Sequence, residues 1–272
     1  MEHAADPLEP VAGIIVLTSR TMHTTTTVLH DGHDAVLVDP AWHADELDAI
    51  ADLLAARSLR VVLGWSTHAH HDHLLWHERF GTGPRLATTA AASSAVGHID
   101  EVRAALTADL RPLAGQVTAF DGGALPWAGG VAAVVVHDAH APGHGALWVP
   151  GVDVLIAGDM LSDLEIPLAG ETGLEAYARG LDRLAPYVEK AAVLIPGHGH
   201  PALAGTADSP TARLRADRAY LDELAGPAED GGDDDPRLAA GPPWLREEHE
   251  ANRRATRASR ADVGGAGPPT TS

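Results

Sequence analysis

The residues best suited to carry chemistry stand in one short run, from Thr67 to His73. The run contains the pattern His-x-His-x-Asp-His. In an extended or tightly turned loop, His68 and His70 point to the same side and can share one ion, while Asp72 and His73 turn toward a second. The pattern therefore predicts a metal site. The alternative is a solvent-exposed polar loop whose histidines bind nothing.

Further ligand candidates follow sharp turns later in the chain. Pro-Gly precedes His144 and also His198, and Gly158 precedes Asp159. Glycine allows the tight turn that brings such a side chain inward. Each motif taken alone is typical of an ordinary turn, but together they complete a set in which three histidines hold one ion and a carboxylate bridges to another. The chain contains no cysteine, so the ligands must be nitrogen and oxygen atoms.

Short apolar runs precede these polar residues, as buried strands would. The runs are Val61–Leu63, Val131–Val136, Val154–Ala157 and Val193–Ile195, and helical spacing appears between them in Asp45–Ala56, Ala90–Leu106 and Leu174–Leu184. This alternation predicts the mixed α/β class. Strand ends gather at one edge of such a fold, so separate segments can supply one site.

Composition limits the partners and the compartment. The formal charge of −19 disfavours a nucleic-acid partner, because phosphate binding would be repulsive. The first ten residues have no basic and apolar signal pattern, and no run is long enough to span a membrane, so we expect a cytoplasmic protein with a small-molecule substrate. The sequence leaves open whether the chain forms a homo-oligomer. We expect a catalytic domain over residues 1–225 and an acidic linker and tail over 226–272, in which Trp244–Ala261 could form a helix.

The complete set of ligands in this order resembles the metallo-β-lactamase superfamily over about residues 11 to 205. The resemblance implies an αββα sandwich, in which two mixed sheets are covered by helices and the metals lie at one edge. It implies two zinc ions per chain, with iron or manganese as alternatives. The implied ligands are His68, His70 and His144 for the first ion, and Asp72, His73 and His198 for the second, with Asp159 bridging. Asp39, which ends a strand, resembles an acidic position beneath the metal loop; a simple strand-end turn is the equal alternative.

The bridging aspartate also favours particular branches of the family. True β-lactamases of the superfamily have cysteine or serine there, so the chain is more similar to the thioesterase, lactonase and phosphodiesterase branches, with glyoxalase II and the lactonases as the nearest pattern. It departs from them after His73, where bulky residues replace two small glycines. The candidates for the substrate pocket are Trp42, Trp76, His77, Leu161 and His200. For the apolar ones, core packing is an equal alternative. His140 and His200 flank ligands and could donate to a substrate oxygen.

The resemblance implies a reaction. Two ions roughly 3.5–4 Å apart would hold a bridging water and lower its pKa, giving a hydroxide nucleophile. Asp72 is the candidate acid/base residue. We expect an ester, thioester, lactone or amide of a small molecule as substrate, because only Arg79 and Arg85 follow the metal loop closely, whereas a phosphodiester is usually met by clustered basic residues. The alternatives are a phosphodiesterase or nuclease, and a non-catalytic or redox di-iron protein.

Overall fold

Two β-sheets lie face to face in the structure, a computed structural model that describes residues 6–226 and 231–265. The first sheet has seven strands in chain order: β1 (Leu8–Val11), β2 (Ile14–Thr18), β3 (Thr25–His30), β4 (Asp34–Val38), β5 (Arg60–Trp65), β6 (Arg85–Thr88) and β7 (Thr118–Phe120). The second has five: β8 (Ala133–His137), β9 (His144–Val149), β10 (Val154–Gly158), β11 (Val193–Pro196) and β12 (Ala202–Leu203), in the order β12-β11-β10-β9-β8. Both sheets are mixed, with β4 to β7 parallel in the first and β10 and β11 parallel in the second.

Both faces of each sheet are covered, which explains the nearly continuous apolar runs. Successive side chains of a strand point to opposite faces. In β4, Val36 and Val38 therefore enter the core between the sheets, where Ile156 and Ile195 of the second sheet meet them. Leu37, between the two valines, faces the other way, into the helical layer.

Helices form the two outer layers. They are α1 (Ala44–Ala56), α2 (Thr89–Gly97), α3 (Ile99–Ala104), α4 (Leu174–Val188), α5 (Pro210–Ala225), α6 (Pro236–Ala240) and α7 (Pro243–Gly265). Leu47, Ile50 and Leu54 of α1 pack on the first sheet, and α4 and α5 pack on the second. The expected αββα sandwich is confirmed. The helix predicted over Ala90–Leu106 is instead two helices, because His98 between them has a non-helical backbone (φ −113°, ψ 20°).

The chain beyond α5 returns to the body of the molecule. Leu238 and Leu245 are buried against Tyr220 of α5 and Ile166. The expected helix Trp244–Ala261 lies within α7. The domain division at residue 225 stays a prediction, and residues 227–230 and 266–272 of the expected tail lie outside the described residues. None of the described helices combines the length and apolar character that crossing a membrane requires.

Candidate metal centre

The carboxyl ends of parallel strands in both sheets meet at one edge of the sandwich. Asp39 directly follows β4, and Asp159 directly follows β10. His198 stands two residues after β11, and the loop with His68 and His70 follows β5. Hydrogen bonds join the two sheets at this edge: the backbone N–H of Thr25 donates to the carbonyl of Gly197 over 2.7 Å, and that of Gly145 to the carbonyl of Thr67 over 2.7 Å. The edge therefore holds residues that are distant in sequence in fixed relative positions.

Three imidazoles and one carboxylate form a first donor group, His68, His70, His140 and Asp159. His70 Nδ1 lies 3.0 Å from both His68 Nε2 and His140 Nε2. His140 Nε2 lies 3.3 Å from Asp159 Oδ2. These ligand atoms all lie within 4.8 Å of one another, a spacing suited to a single ion.

In each histidine of the first group, the ring nitrogen that points away from the other ligand atoms, here called the outward nitrogen, has a hydrogen-bond acceptor. The Thr67 hydroxyl donates to Asp39, so it must accept from His68. Each outward nitrogen therefore carries the proton, and each inward nitrogen keeps a lone pair for a cation. The acceptors are Thr67 Oγ1 at 3.0 Å from His68 Nδ1, Glu171 Oε1 at 2.9 Å from His70 Nε2, and the Leu168 carbonyl at 3.1 Å from His140 Nδ1.

A second donor group consists of Asp72, His73 and His198. Asp72 Oδ2 lies 3.3 Å from both His73 Nε2 and His198 Nε2. Asp72 and His73 lie in a single 3₁₀ turn, which places both on the inner side of the loop. The outward nitrogens again donate, His73 Nδ1 to Asp39 Oδ2 and His198 Nδ1 to the carbonyl of Met22, each over 3.0 Å.

Asp159 stands between the two groups. Its Oδ1 lies 3.2 Å from His73 Nε2, and its Oδ2 lies 3.2 Å from His198 Nε2 and 3.5 Å from His68 Nε2. Oδ1 is buried and has no hydrogen-bond partner among the described residues. A Cβ at Gly197 would collide with this oxygen, so only glycine allows the approach. The carboxylate therefore lies within reach of both donor groups.

The charges of the donor groups also favour a bound cation. Burial opposes the charge of Asp72 and of Asp159, yet neighbouring imidazoles hold the pKa of both carboxyls well below its usual range. Burial also opposes the charge of His73 and His198, but the carboxylates raise the pKa of both histidines well above its usual value. The carboxylates of Asp72 and Asp159 therefore favour positive charge beside them. Nitrogen and carboxylate donors in this arrangement fit divalent transition metals.

His144 does not lie in either group, contrary to expectation. It is the first residue of β9, and its buried ring is stacked between His68 and His137 at ring-centroid distances of 5.1 and 4.6 Å. Its Nε2 accepts the backbone N–H of Asp159 over 3.2 Å. The first donor group contains His140 and does not contain His144. A sequence signal existed: His140 comes three residues after the end of β8, as His68 comes three residues after the end of β5.

The expected pocket residues are divided. Trp42 lines the cleft above the donor groups. The other four lie elsewhere, for separate reasons. Trp76 packs edge-on against Phe80 inside the core, and Leu161 is fully buried behind the site. His77 begins the 3₁₀ turn Glu78–Phe80 near Asp48, and His200 is exposed and bonded to Asp163 over 2.8 Å.

The cleft itself has a volume of about 500 Å³. Its wall includes residues that the sequence interpretation left unassigned: Glu165, Leu168, Glu171, Trp244 and Glu248. Burial raises the pKa of Glu165 to about 7. Trp244 and Glu248 come from α7, so the C-terminal helix forms part of the cleft.

Comparison with known proteins agrees with this architecture. Residues 20–200 match the family model described as the metallo-beta-lactamase superfamily. A beta-lactamase domain protein from Burkholderia ambifaria has a similar structure, with a TM-score of 0.60 and 19% identity over 83% of this chain and 76% of that one. A metallo-beta-lactamase family protein from Thermus thermophilus has a TM-score of 0.60 and 22% sequence identity, over 79% of this chain and 81% of that one. A metallo-beta-lactamase from Pontibacter korlensis has a TM-score of 0.59 and 17% sequence identity, over 79% of this chain and 98% of that one.

Proposed function

The chain belongs to the metallo-β-lactamase superfamily, and we propose that it is a dinuclear metal hydrolase that cleaves an ester, thioester, lactone or amide of a small molecule. The observation that carries the proposal is the position of Asp159, whose two carboxylate oxygens lie near both donor groups. One carboxylate shared between two cation sites is an arrangement that suits two-metal hydrolysis.

Each donor group would hold one ion. The first would be bound by His68, His70, His140 and Asp159, and the second by Asp72, His73, His198 and Asp159. Zinc is our proposed metal, because neutral imidazole and carboxylate ligands suit it, with iron or manganese as alternatives. Bound divalent ions would polarise the scissile bond and acidify the attacking water.

The chain's own residues orient the site. Asp39 and Glu171 accept the outward N–H of His73 and His70, which keeps the inward lone pairs aimed at the centre. Asp72 Oδ2 accepts from the Thr24 hydroxyl at the long distance of 3.4 Å, and Asp72 Oδ1 lies 4.0 Å from His71 Nδ1, too far for a hydrogen bond. Because Oδ2 faces His73 and His198 in the second donor group, we propose that Asp72 takes up and returns the proton of the attacking water at Oδ1.

The cleft supports an acyl substrate over a phosphodiester. Among the described residues that line it, none is arginine or lysine, whereas phosphate recognition generally relies on such groups. The glyoxalase II or lactonase branch remains our proposal for the position within the superfamily. A cytoplasmic location remains a prediction.

The test combines metal analysis with a substrate panel. The purified protein should contain two equivalents of metal and should hydrolyse at least one of a thioester, a lactone and an aryl ester faster than a bis-phosphodiester or a β-lactam. Asp159→Asn should lose turnover together with tight binding of the two ions, because it removes the shared charge. Asp163→Asn is the matched control, since Asp163 lies four residues further on and bonds His200 instead. Full activity of Asp159→Asn, or preferred cleavage of the bis-phosphodiester, would contradict the proposal.

A further inference from the structure

The cleft above the donor groups carries more carboxylates than metal binding uses. Beyond the ligands, Glu165 and Glu248 line it, together with Glu171, which accepts the N–H of His70. The groove that continues past His70 and Glu171 adds Glu101, and the described residues of both walls include no arginine or lysine. These glutamates make the wall of the cleft negative, which favours a cationic group on the part of a ligand that lies beside them and not over the metal donors.

Glu165 provides a second and independent indication. Its side chain is only 7% exposed. The backbone around it is fixed, because its N–H donates to Ser162 Oγ over 3.1 Å and its carbonyl accepts from Arg237 over 2.9 Å. Its carboxyl group, by contrast, makes no hydrogen bond to any of the described residues. A buried carboxylate in this state is costly unless it is protonated or meets a hydrogen-bond donor or a positive charge, and a bound cation would supply the last of these.

Two tryptophans give the same cleft an aromatic wall. Trp42 lies between β4 and α1 and packs edge-on against His71, with ring centroids 5.1 Å apart. Trp244 lies at the start of α7. Glu248 follows Trp244 by four residues and so shares its helix face. Aromatic faces combined with carboxylates are the usual means of binding alkylammonium groups.

Building on the hydrolase function proposed above, we infer that the substrate is a small acyl compound with an ammonium group, held by Trp42, Trp244 and the cleft glutamates while its acyl carbon lies over the metal donors. For an ester of an amino alcohol, water adds across the acyl C–O bond. The products are a carboxylic acid and the ammonium alcohol. A volume of about 500 Å³ accommodates a molecule of that size.

Binding of a matched pair of probes tests the charge recognition without turnover. Choline and 3,3-dimethylbutan-1-ol have the same shape but differ in charge, and their binding to the full-length, metal-loaded protein can be measured by calorimetry. We expect choline to bind at least about tenfold more tightly, the size of a partly desolvated cation–π contact with carboxylate support. Equal affinity for the two probes, or no measurable binding of either, overturns the inference.

One substitution and its neighbour locate the contact. Glu248→Gln should lower the affinity for choline and reduce the preference over the neutral alcohol by about fivefold or more. Glu247→Gln is the matched control, because Glu247 is exposed on the same helix and does not line the cleft. An equal effect of both variants would mean that general surface charge attracts the probe, which also overturns the inference.

Turnover separates this inference from the function on which it rests. The ratio of kcat/KM for acetylcholine to that for 3,3-dimethylbutyl acetate should exceed about ten, following the binding preference. Equal hydrolysis of both esters leaves the hydrolase standing and overturns the ammonium preference. Selective binding of choline without hydrolysis of any acyl substrate supports the ammonium site and contradicts the hydrolase.

Discussion

Replacing Asp39 by asparagine should weaken the second metal site selectively. Asp39 is 2% exposed and accepts three hydrogen bonds. Its Oδ1 accepts the backbone N–H of Thr67 over 2.8 Å, and its Oδ2 accepts the Thr67 hydroxyl over 2.6 Å and His73 Nδ1 over 3.0 Å. All three partners donate, so the carboxylate matches them and an amide cannot.

The geometry sets the size of the effect. In one orientation the amide NH₂ of Asp39→Asn faces the Thr67 N–H, and in the other it faces His73 Nδ1. The first leaves a buried donor without an acceptor, and the second forces the proton of His73 onto Nε2, the atom that should bind metal. An unsatisfied buried donor costs about 1–3 kcal/mol. Since about 1.4 kcal/mol is a factor of ten, metal affinity at this site should fall about 5- to 150-fold.

Titration against a competing chelator measures this effect, because it resolves the two metal equivalents. We expect one equivalent to weaken by that amount and the other to stay near its original affinity. Asp34→Asn is the control: Asp34 begins β4, bonds Arg60 at the surface and lies away from the donor groups. Unchanged affinity for both equivalents in Asp39→Asn would refute the view that Asp39 fixes the His73 ring.

Other substitutions test separate parts of the structure. His140→Ala should lose tight binding at the first site, whereas His144→Ala should mainly lower stability, by about 1–3 kcal/mol for the backbone N–H it leaves unsatisfied; metal analysis and chemical denaturation distinguish the two. Burial lowers the pKa of His137 from 6.5 to about 4. The folded state therefore favours the neutral ring. The contribution of His137 to the free energy of unfolding is complete above pH 6.5 and falls by about 3 kcal/mol toward pH 4. His137→Gln should flatten the fall in unfolding free energy over that range, and an identical profile would contradict this assignment. Arg237→Ala should cost about 3–5 kcal/mol, because it leaves Asp217 buried without its ion-pair partner. Arg237→Met combined with Asp217→Leu should recover most of that loss in urea denaturation.

Much of the fold and part of the site could be predicted from sequence because the information is local. Short apolar runs identified the strands β5, β8, β10 and β11, and helical spacing identified α1 and α4. Within the loop from His68 to His73, a few residues of backbone fix how the side chains are divided between two groups. That division needed no knowledge of distant contacts.

The choice between His140 and His144 needed the tertiary structure. Both flank the same Pro-Gly turn, and their spacing does not indicate which one faces the sheet edge. Pairing of β9 with β8 sets His144 opposite His137, and its Nε2 accepts the Asp159 N–H, whereas His140 lies in the loop before β9 and belongs to the first donor group. The position of Trp76 also needed the tertiary structure, because its packing against Phe80 in the core depends on the layer above the first sheet.

The sequence by itself determined the chemistry of this protein: nitrogen and oxygen ligands, their spacing in the metal loop, and an α/β fold that gathers strand ends. Only the tertiary structure decided which histidine completes the first group, which acceptors fix the ring protons, and that α7 brings Trp244 and Glu248 to the cleft. The physical reason is the separation along the chain of the residues that interact. Local spacing fixes neighbours within a few residues, whereas contacts between residues far apart in the chain depend on how the layers pack.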